Sequence, residues 1–322
     1  MKMGNKFFGT LFFAALFILA CPVLPAGDNV PKPRGIISIS GAWALYPMVV
    51  KWAKEFQKIN PDVKIDISAG GAGKGMADAL AGTVDFGMVS RDINPAEAEK
   101  GAWWVSVTKD AVVPVVNAKN PRIAELLAQG VTREKFIGIW ITKKTKKWED
   151  AVKAEGYSAI HVYTRSDACG AGETWANYLG KKQEDLAGTG VYGDPGLADA
   201  VKNDVLGVGF NNVNCVYDSK TRKQIEGIKV LPIDLNGDGK IDEKESFYET
   251  LDQILDAINK GVYPSPPARD LHLVSKGKPA NPAAVEFLKW ILSDGQKFVS
   301  DSGYIRLSDE KLKRETEKLN SK

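Results

Sequence analysis

The clearest chemistry in this chain lies between a predicted strand and a predicted helix. Arg165 follows the β-rich residues 160–163, and Gly170 and Gly172 precede an apolar pattern of helical spacing that begins at Trp175. A helix N-terminus offers free backbone N–H groups, glycine lets a ligand approach the main chain, and a guanidinium binds oxyanions through paired hydrogen bonds. The stretch therefore predicts one half of an anion site. An ordinary strand-to-helix connection with a surface arginine has the same pattern.

Three more loops follow predicted strands in the first third of the chain. Residues 41–47 and 70–75 each lead into a predicted helix, and a third strand ends in Ser90 and Arg91. The second loop contains Lys74, but its glycine spacing and the lack of a Lys-Ser or Lys-Thr pair exclude the phosphate-binding loop of nucleotide hydrolases. Strands and helices alternate here, which favours an α/β sheet whose ligand groups gather at the carboxyl ends of its strands.

Residues 234–245 match the twelve-residue calcium loop at every diagnostic position. Side-chain oxygens fall at loop positions 1, 3, 5 and 9, glutamate stands at 12, glycine at 6 and isoleucine at 8. We expect a structural Ca²⁺ ion, because the preceding residues 228–233 are typical of a strand and leave no complete EF-hand. A turn rich in Asp, Asn and Gly is the alternative. The predicted metal-binding residues are Asp234, Asn236, Asp238, Lys240, Asp242 and Glu245.

Composition indicates a globular protein without a general charge attraction to a partner. The chain has 322 residues, of which 44% are hydrophobic and 26% charged, enough for one large or two medium domains with real cores. Its formal net charge is +3. No nucleic-acid partner is expected, and charge-based recognition must be local.

The N-terminus predicts export. A short basic segment precedes the apolar residues 7–20, and small residues follow them. The apolar segment is shorter than the roughly 20 residues that a membrane-spanning helix needs. Residues 1–26 are therefore interpreted as an export signal or N-terminal anchor, and the rest as a periplasmic or cell-surface protein. Cleavage near Ala26 and cleavage before Cys21, with lipid attachment there, both fit the pattern.

Residues that could carry catalysis are few. The two histidines, His161 and His272, have no nucleophile or carboxylate cluster beside them in sequence. Cys169 and Cys215 form either a disulfide, as an exported protein permits, or two buried thiols. We expect no enzymatic activity.

Several of these stretches, taken in their order and spacing, resemble one known family. The chain resembles the phosphate-type substrate-binding proteins of ABC importers over nearly all of its mature length. The resemblance rests on Ser40-Gly41-Ala42 with Tyr46-Pro47 and Lys51-Trp52, residues 82–88 with Ser90-Arg91, residues 113–117, Arg165-Ser166-Asp167 with Gly170, residues 287–293 with 295–297, and residues 303–305.

The resemblance implies an α/β, two-lobed periplasmic-binding-protein fold. Two crossing strands, near Val115 and Leu271, would form the hinge about which the lobes close. In that family the lobes enclose a dehydrated oxyanion, and the closed form docks on a membrane permease. The implied segments are lobe one, 35–116 plus 265–308; lobe two, 117–264, with the calcium loop at 234–245; and a charged tail, 309–322.

Carried over residue by residue, the resemblance implies an anion site between the lobes, in which Asp167 orients Arg165. The family usually places serine or threonine in these loops, whereas alanine, cysteine or tryptophan stands at most of the matching positions here, and Ser90-Arg91 stands where a proton-accepting carboxylate is usual. Each lost neutral hydrogen bond is worth about 0.5 to 1.5 kcal/mol. The implied ligand-binding residues are Ala42, Trp43, Ala44, Ala72, Gly73, Lys74, Ser90, Arg91, Arg165, Asp167, Cys169, Gly170 and Ala171.

The expected function is that of an exported, monomeric solute-binding protein. It would capture phosphate or a related oxyanion and deliver it to ABC permease subunits in the membrane. The alternative is a sensor or scaffold protein on the same fold, with a degenerate anion site and no role in transport.

Overall fold

The computed structural model describes Met1, Gly4 and residues 33–321. Most of the predicted export signal, with Cys21 and Ala26, lies outside the described residues. Among the residues described, no helix combines the length and the apolar character that crossing a bilayer requires.

Residues 33–321 form a sheet of nine strands in the order β2-β1-β3-β9-β4-β7-β5-β6, with β8 paired to β4. The strands are β1 (Gly35–Gly41), β2 (Val63–Ala69), β3 (Phe86–Val89), β4 (Ala102–Asn117), β5 (His161–Arg165), β6 (Thr189–Val191), β7 (Gly207–Asn212), β8 (Ile228–Val230) and β9 (Ala268–Lys276).

Helices connect most of these strands, as the alternating pattern of the sequence predicts. They are α1 (Tyr46–Ile59), α2 (Ala72–Ala81), α3 (Pro95–Glu99), α4 (Ile123–Gln129), α5 (Arg133–Trp140), α6 (Trp148–Ala151), α7 (Gly170–Tyr178), α8 (Gly193–Asn203), α9 (Leu251–Asn259), α10 (Pro282–Leu292) and α11 (Asp309–Asn320). Asn281 caps α10 by accepting the amide of Ala283, and a proline opens that helix, as the sequence indicates.

Two parallel groups of strands are joined by two long antiparallel ones. β1 lies parallel to β2 and β3, and β5 lies parallel to β6 and β7. Between these groups, β4 and β9 run antiparallel, paired from Ala102 and Lys276 at one end to Ala111 and Ala268 at the other. The crossing strands that the resemblance implies are therefore β4 and β9.

The apolar side chains form two separate buried clusters. One is built around Trp52, Phe86 and Phe287, and the other around Trp140 and Trp175. Aromatic rings contact one another inside each cluster, as in the pair Trp140 and Trp175, whose centroids are 5.4 Å apart. We call these clusters core one and core two; they are the interiors of two lobes.

Each of the two crossing strands contributes side chains to both cores. On β4 the side chains up to Val107 belong to core one and those from Ala111 onward to core two; on β9 the change lies between Ala268 and Leu271. Residues 111–116 thus pack with core two, although the sequence assigns them to lobe one. Their nearly continuous valine run is buried on both faces, so periodicity alone does not reveal which core they join.

The charged tail forms α11 and packs on core one. Ser308 caps this helix by accepting the amide of Lys311, and Leu312 and Leu319 are buried on its inner face. The Lys318 ammonium lies 4.2 Å from the centroid of the Trp104 ring. The segment named as a charged tail, 309–322, therefore contains a helix that packs on lobe one.

Candidate functional site

The site lies at the seam where the predicted anion loops of the two lobes meet. The amide of Gly73, in the first turn of α2, donates to the carbonyl of Ala168 in the connection before α7 (3.1 Å). Gly170 packs so closely on Ser90 that a Cβ at this position would collide with the serine hydroxyl and carbonyl. The lobes are therefore in contact, and a glycine at position 170 is what permits the approach.

Arg165 ends β5 and points its guanidinium into the seam. Its Nε and Nη2 donate to the two carboxyl oxygens of Asp167, at 2.8 and 2.6 Å, and Nη1 pairs with Asp194. The arginine side chain is 1% exposed. Asp167 thus fixes the orientation of Arg165, and Asp194 occupies the far edge of the same guanidinium.

Another arginine, Arg269, reaches the same region from β9. Its Nη1 donates to the carbonyl of Gly170 (2.8 Å), and its Nη2 donates to the side-chain oxygen of Asn212. Asn212 in turn donates to Asp194, and so links the two arginines through one chain of hydrogen bonds. The seam therefore contains a third buried guanidinium group, Arg269, beside Arg91 and Arg165, which the sequence predicts.

Asp110 lies on β4 directly opposite Arg269 in the strand register. It is 1% exposed, and no described residue donates a hydrogen bond to either of its carboxyl oxygens. Burial raises the pKa of Asp110 to about 7, against the opposing charge of Arg269. A carboxyl group at the hinge is therefore free to exchange a proton near neutral pH.

Other polar atoms at the seam are buried without partners as well. Among the described residues, Trp43 Nε1, Asn214 Oδ1 and Arg269 Nε have no hydrogen-bond partner. Trp43 lies edge-on to the Tyr192 ring of the opposite lobe, at 6.4 Å, and the side-chain Nδ2 of Asn214 donates to the carbonyl of Ala44 across the seam (3.3 Å). Because the great majority of buried polar atoms in proteins are paired, these atoms indicate a place for a small polar ligand or for water.

A cavity of about 380 Å³ opens at the seam beside Arg165. Gly73 and Arg91 of lobe one line one side, and the segment 165–169 and Glu173 of lobe two line the other. Burial raises the pKa of Glu173 although Arg91 lies close by. The cavity is large enough for a small oxyanion with its water.

A family model described as a PBP superfamily domain matches residues 26–295 of this chain. The chain belongs to this family. The phosphate-binding protein PstS of Bacillus subtilis is 25% identical over 325 residues, which cover 97% of this chain and 97% of that protein. PstS of Xylella fastidiosa is 25% identical over 309 residues, which cover 84% of this chain and 82% of that protein.

Solved structures show the same fold. A Clostridium perfringens protein with bound phosphate, described as a candidate phosphate ABC transporter substrate-binding protein, has a TM-score of 0.69 at 20% identity and covers 85% of this chain and all of its own. An ABC-type phosphate transport receptor of Vibrio cholerae has a TM-score of 0.60 at 20% identity, covering 84% of this chain and 99% of its own. The predicted resemblance and the two-lobed fold class are confirmed.

The structure of this PBP superfamily member brings most of the predicted loop residues to the seam. Ala42 and Ala44 are buried where β1 ends, and Ala72 and Gly73 begin α2. On the other side, Cys169 caps α7: its sulfur accepts the amide of Gly172 at 3.2 Å. The amides of Gly170 and Ala171, which begin α7, have no carbonyl within the helix to donate to, so they are available to an anion.

Two predicted cations have carboxylate partners of their own. Lys74 is about half exposed and pairs with Asp78 one turn along α2. Arg91 is buried and binds both oxygens of Glu97, at 2.9 and 2.7 Å, while its Nε lies 3.4 Å from Glu173 across the seam. Lys74 is thus held by its own lobe, whereas Arg91 joins the two lobes.

Among residues 33–321, Cys169 and Cys215 are free thiols rather than a disulfide; Cys169 is buried, as the second alternative expects, whereas Cys215 is partly buried. Burial raises the pKa of Cys169 to about 12 and that of Cys215 well above its ordinary value. Both groups therefore stay protonated at neutral pH, and a thiolate nucleophile is not available at this seam.

Each histidine has a polar partner that sequence distance conceals. His161 Nδ1 lies 2.7 Å from Asp204 Oδ2 on the outside of lobe two. His272 is buried in β9 with Nδ1 3.3 Å from Ser106 Oγ, and burial lowers its pKa to about 4. His272 is therefore neutral at physiological pH. It lies beside Ser106 on the paired strand and does not line the cavity at the seam.

Sequence reasoning missed four polar residues of the seam. They stand in strands or at a helix start where apolar residues dominate. A polar residue within such an apolar segment was the available signal, because a buried polar group needs a partner. The missed residues are Asp110, Asp194, Asn212 and Arg269.

Proposed function

We propose that this protein is an exported substrate-binding protein that captures phosphate or a related oxyanion between its lobes. The observation that carries the proposal is the buried pair Arg165 and Arg269, linked through Asn212 and Asp194 at a seam with unpartnered polar atoms. Relatives that are named for phosphate binding, over nearly the whole chain, support the same ligand class.

The ligand must match a site that holds both signs of charge. Two guanidinium groups stand against the carboxyl groups of Asp110, Asp167 and Asp194. An oxyanion that still carries a proton can donate its O–H to a carboxylate while its other oxygens accept from arginine and backbone amides. Hydrogen phosphate has such a proton at neutral pH and sulfate has none, so this arrangement favours phosphate.

Asp110 is the proposed acceptor of that proton. Its two oxygens are unpartnered, and it stands at the hinge opposite Arg269. Ser90 and Arg91 stand where the family usually has a proton-accepting carboxylate. In this chain Asp110 supplies a carboxylate from a different strand. The proposed discrimination between phosphate and sulfate therefore lies in β4.

Delivery to an ABC permease is part of the proposal, and the contact between the lobes supports it. The lobes touch through Gly73 and Ala168, through Arg91 and Glu173, and through Gly170 and Ser90. A membrane partner that contacts both lobes would distinguish this closed form from an open one. Export to the periplasm or cell surface, by either route at residues 21–26, is part of the proposal.

A sensor or scaffold role on the same fold is the second candidate, and one observation favours it. The guanidinium of Arg165 already donates to Asp167 and Asp194 on both of its edges. If a ligand never displaces these ion pairs, the seam only holds the two lobes together. We call this role a lock between the lobes.

Titration calorimetry of the mature protein with phosphate, sulfate, molybdate and tungstate tests the proposal. We expect phosphate to bind at least tenfold more tightly than sulfate and Arg165→Ala to lose most of the affinity. Arg314→Ala is the matched control, because Arg314 is exposed on α11. If no anion binds more tightly than millimolar, the binding function is wrong and the lock is favoured. If Arg165→Ala binds like the wild type, the anion does not bind at Arg165.

A further inference from the structure

We propose that residues 234–245 bind one Ca²⁺ ion that stabilises lobe two. The loop matches the calcium-loop pattern, and its surroundings provide evidence beyond that pattern. The oxyanion seam does not include this segment, so the proposal is independent of the proposed function.

The loop is fixed near its middle to the last turn of α4, and at its start to Val131, in the connection between α4 and α5. The amide of Asp234 donates to the carbonyl of Val131 (3.3 Å), and the amide of Val131 donates back to Pro232 (2.9 Å). Further along, the amide of Ile241 donates to the carbonyl of Ala128 (2.8 Å). Anchoring at both places reduces the conformational entropy that ion binding would remove.

The carboxylate of Asp234, the residue at loop position 1, is enclosed by the backbone of the loop. It is buried, and its two carboxyl oxygens accept the amides of Gly237 (2.7 Å) and Gly239 (3.0 Å). Gly239 stands at position 6 with φ +79°, the sharp turn that requires glycine in this type of loop. The backbone therefore wraps around the carboxylate.

Glu245, at position 12, supplies the independent observation. Its residue is 4% exposed, and its Oε1 accepts the amides of Leu235 (2.7 Å) and Asn236 (3.2 Å), so the carboxyl group faces the start of the loop. Its Oε2 is buried and has no hydrogen-bond partner among residues 33–321. An unpaired buried carboxylate oxygen is destabilising, and a cation within the loop would satisfy it.

The charges of the loop are not balanced from within. Five acidic residues, Asp234, Asp238, Asp242, Glu243 and Glu245, stand against Lys240 and Lys244. The ammonium of Lys240 is 3.7 Å from Asp238 and largely exposed. Among residues 33–321, no three carboxylate, histidine or cysteine side chains are already placed to share an ion. The proposal therefore includes a movement of Asn236 and Asp238, both exposed, toward Asp234 and Glu245 when the ion binds.

Calcium is the ion that this chemistry selects. The ligands are carboxylate, amide and main-chain oxygens, and the loop has to adjust around them. Ca²⁺ accepts six to eight oxygens in a flexible arrangement, whereas Mg²⁺ demands a near-ideal octahedron and retains its water.

Binding would stabilise core two through the residues after the loop. Phe247 and Tyr248 follow Glu245 closely and are buried, with ring centroids 4.4 Å apart. The Tyr248 hydroxyl also accepts the amide of Ile233, just before the loop, at 3.1 Å. Fixing Glu245 on an ion therefore holds both ends of the loop against core two.

The test is calorimetric titration of the EDTA-dialysed mature protein with CaCl₂ and, separately, MgCl₂, together with thermal unfolding in 1 mM CaCl₂ or EDTA. We expect one Ca²⁺ per chain, weaker binding of Mg²⁺, and a Tm several degrees higher with calcium. Glu245→Gln keeps the acceptor for Leu235 and Asn236 but should reduce calcium affinity at least tenfold and abolish the Tm difference.

Asp218→Asn is the matched control, since Asp218 also accepts two amides in an exposed turn of lobe two (3.0 and 2.6 Å) but lies outside the loop. It should bind calcium like the wild type. The Tm difference between calcium and EDTA is compared within each variant, so a loss of intrinsic stability in Glu245→Gln does not obscure the result. Absence of calcium heat in the wild type, or wild-type calcium affinity in Glu245→Gln, overturns the proposal.

Discussion

Asp110 and Arg269 face each other across the two crossing strands, with 3.8 Å between Asp110 Oδ2 and Arg269 Nη2. This distance is too long for a direct hydrogen bond. Arg269 donates instead to Gly170 and Asn212, and so the carboxyl group of Asp110 is near a cation without being bonded to it. The hinge thus holds a carboxyl group available to a ligand.

The first prediction concerns ligand choice. Asp110→Asn replaces the proposed proton acceptor by an amide of the same shape that can donate to any oxyanion. A hydrogen bond to a charged group is worth about 1.5 to 3 kcal/mol, so phosphate affinity should fall by one to two orders of magnitude while sulfate affinity rises. Calorimetry with both anions at pH 8 measures the ratio. Asp301→Asn, at an exposed site, should leave the ratio unchanged; an equal change in both anions for Asp110→Asn would remove Asp110 from the selection of phosphate.

The second prediction concerns pH and stability. Burial raises the pKa of Asp110 to about 7 in the folded protein, whereas the unfolded chain has the ordinary value near 4. Between these values the folded state binds more protons than the unfolded state, so stability falls as pH rises from about 4 to 7. The slope from one such group has a limit of about 1.4 kcal/mol per pH unit.

Urea unfolding without phosphate, from pH 4.5 to 8, measures this effect by comparing the wild type with Asp110→Asn. The variant cannot titrate at this position, so the two curves should diverge as pH rises and run parallel above pH 7. Curves that stay parallel from pH 4.5 would mean that Asp110 is charged in the folded protein throughout.

The third prediction concerns lobe closure. Gly170→Ala places a methyl group where the Ser90 hydroxyl and carbonyl stand. Neither lobe can yield there without separating, so the variant should favour an open form and lose anion affinity at least tenfold. Small-angle scattering should show a larger radius of gyration than the wild type in phosphate.

Gly196→Ala, in α8 of the same lobe, is the control for closure. A Cβ there meets the side chain of Val191 in its own lobe, at 3.2 Å, rather than the backbone of the other lobe. It should close and bind like the wild type. If Gly170→Ala also closes normally, the contact between Gly170 and Ser90 does not control closure.

The residues readable from sequence are those whose partners are close along the chain. Arg165 and Asp167 are two residues apart, and the pairing follows from the strand-to-loop pattern. Asp110 and Arg269 come together only through the register of β4 and β9, which local periodicity does not reveal. For the same reason the sequence does not reveal Glu173, which approaches Arg91 from the other lobe.

Lobe boundaries were harder to predict than secondary structure. A strand that crosses from one core to another is buried along its whole length, and Val112 to Val116 show no alternation that would mark the change. The glycine loops, by contrast, are visible in the composition of the sequence. At Gly170 the two lobes approach so closely that no side chain fits, so the position requires glycine.

The last prediction concerns the hydroxyl groups that the anion loops lack. Cys169→Ser exchanges a buried thiol for a hydroxyl of similar shape that can still accept the amide of Gly172. A serine hydroxyl also donates a stronger hydrogen bond than a thiol. One added neutral hydrogen bond of about 0.5 to 1.5 kcal/mol should raise phosphate affinity about two- to tenfold. Cys215→Ser, on a cysteine outside these loops, should leave calorimetric affinity unchanged. Equal affinities in all three proteins would mean that the cap of α7 does not contact the anion.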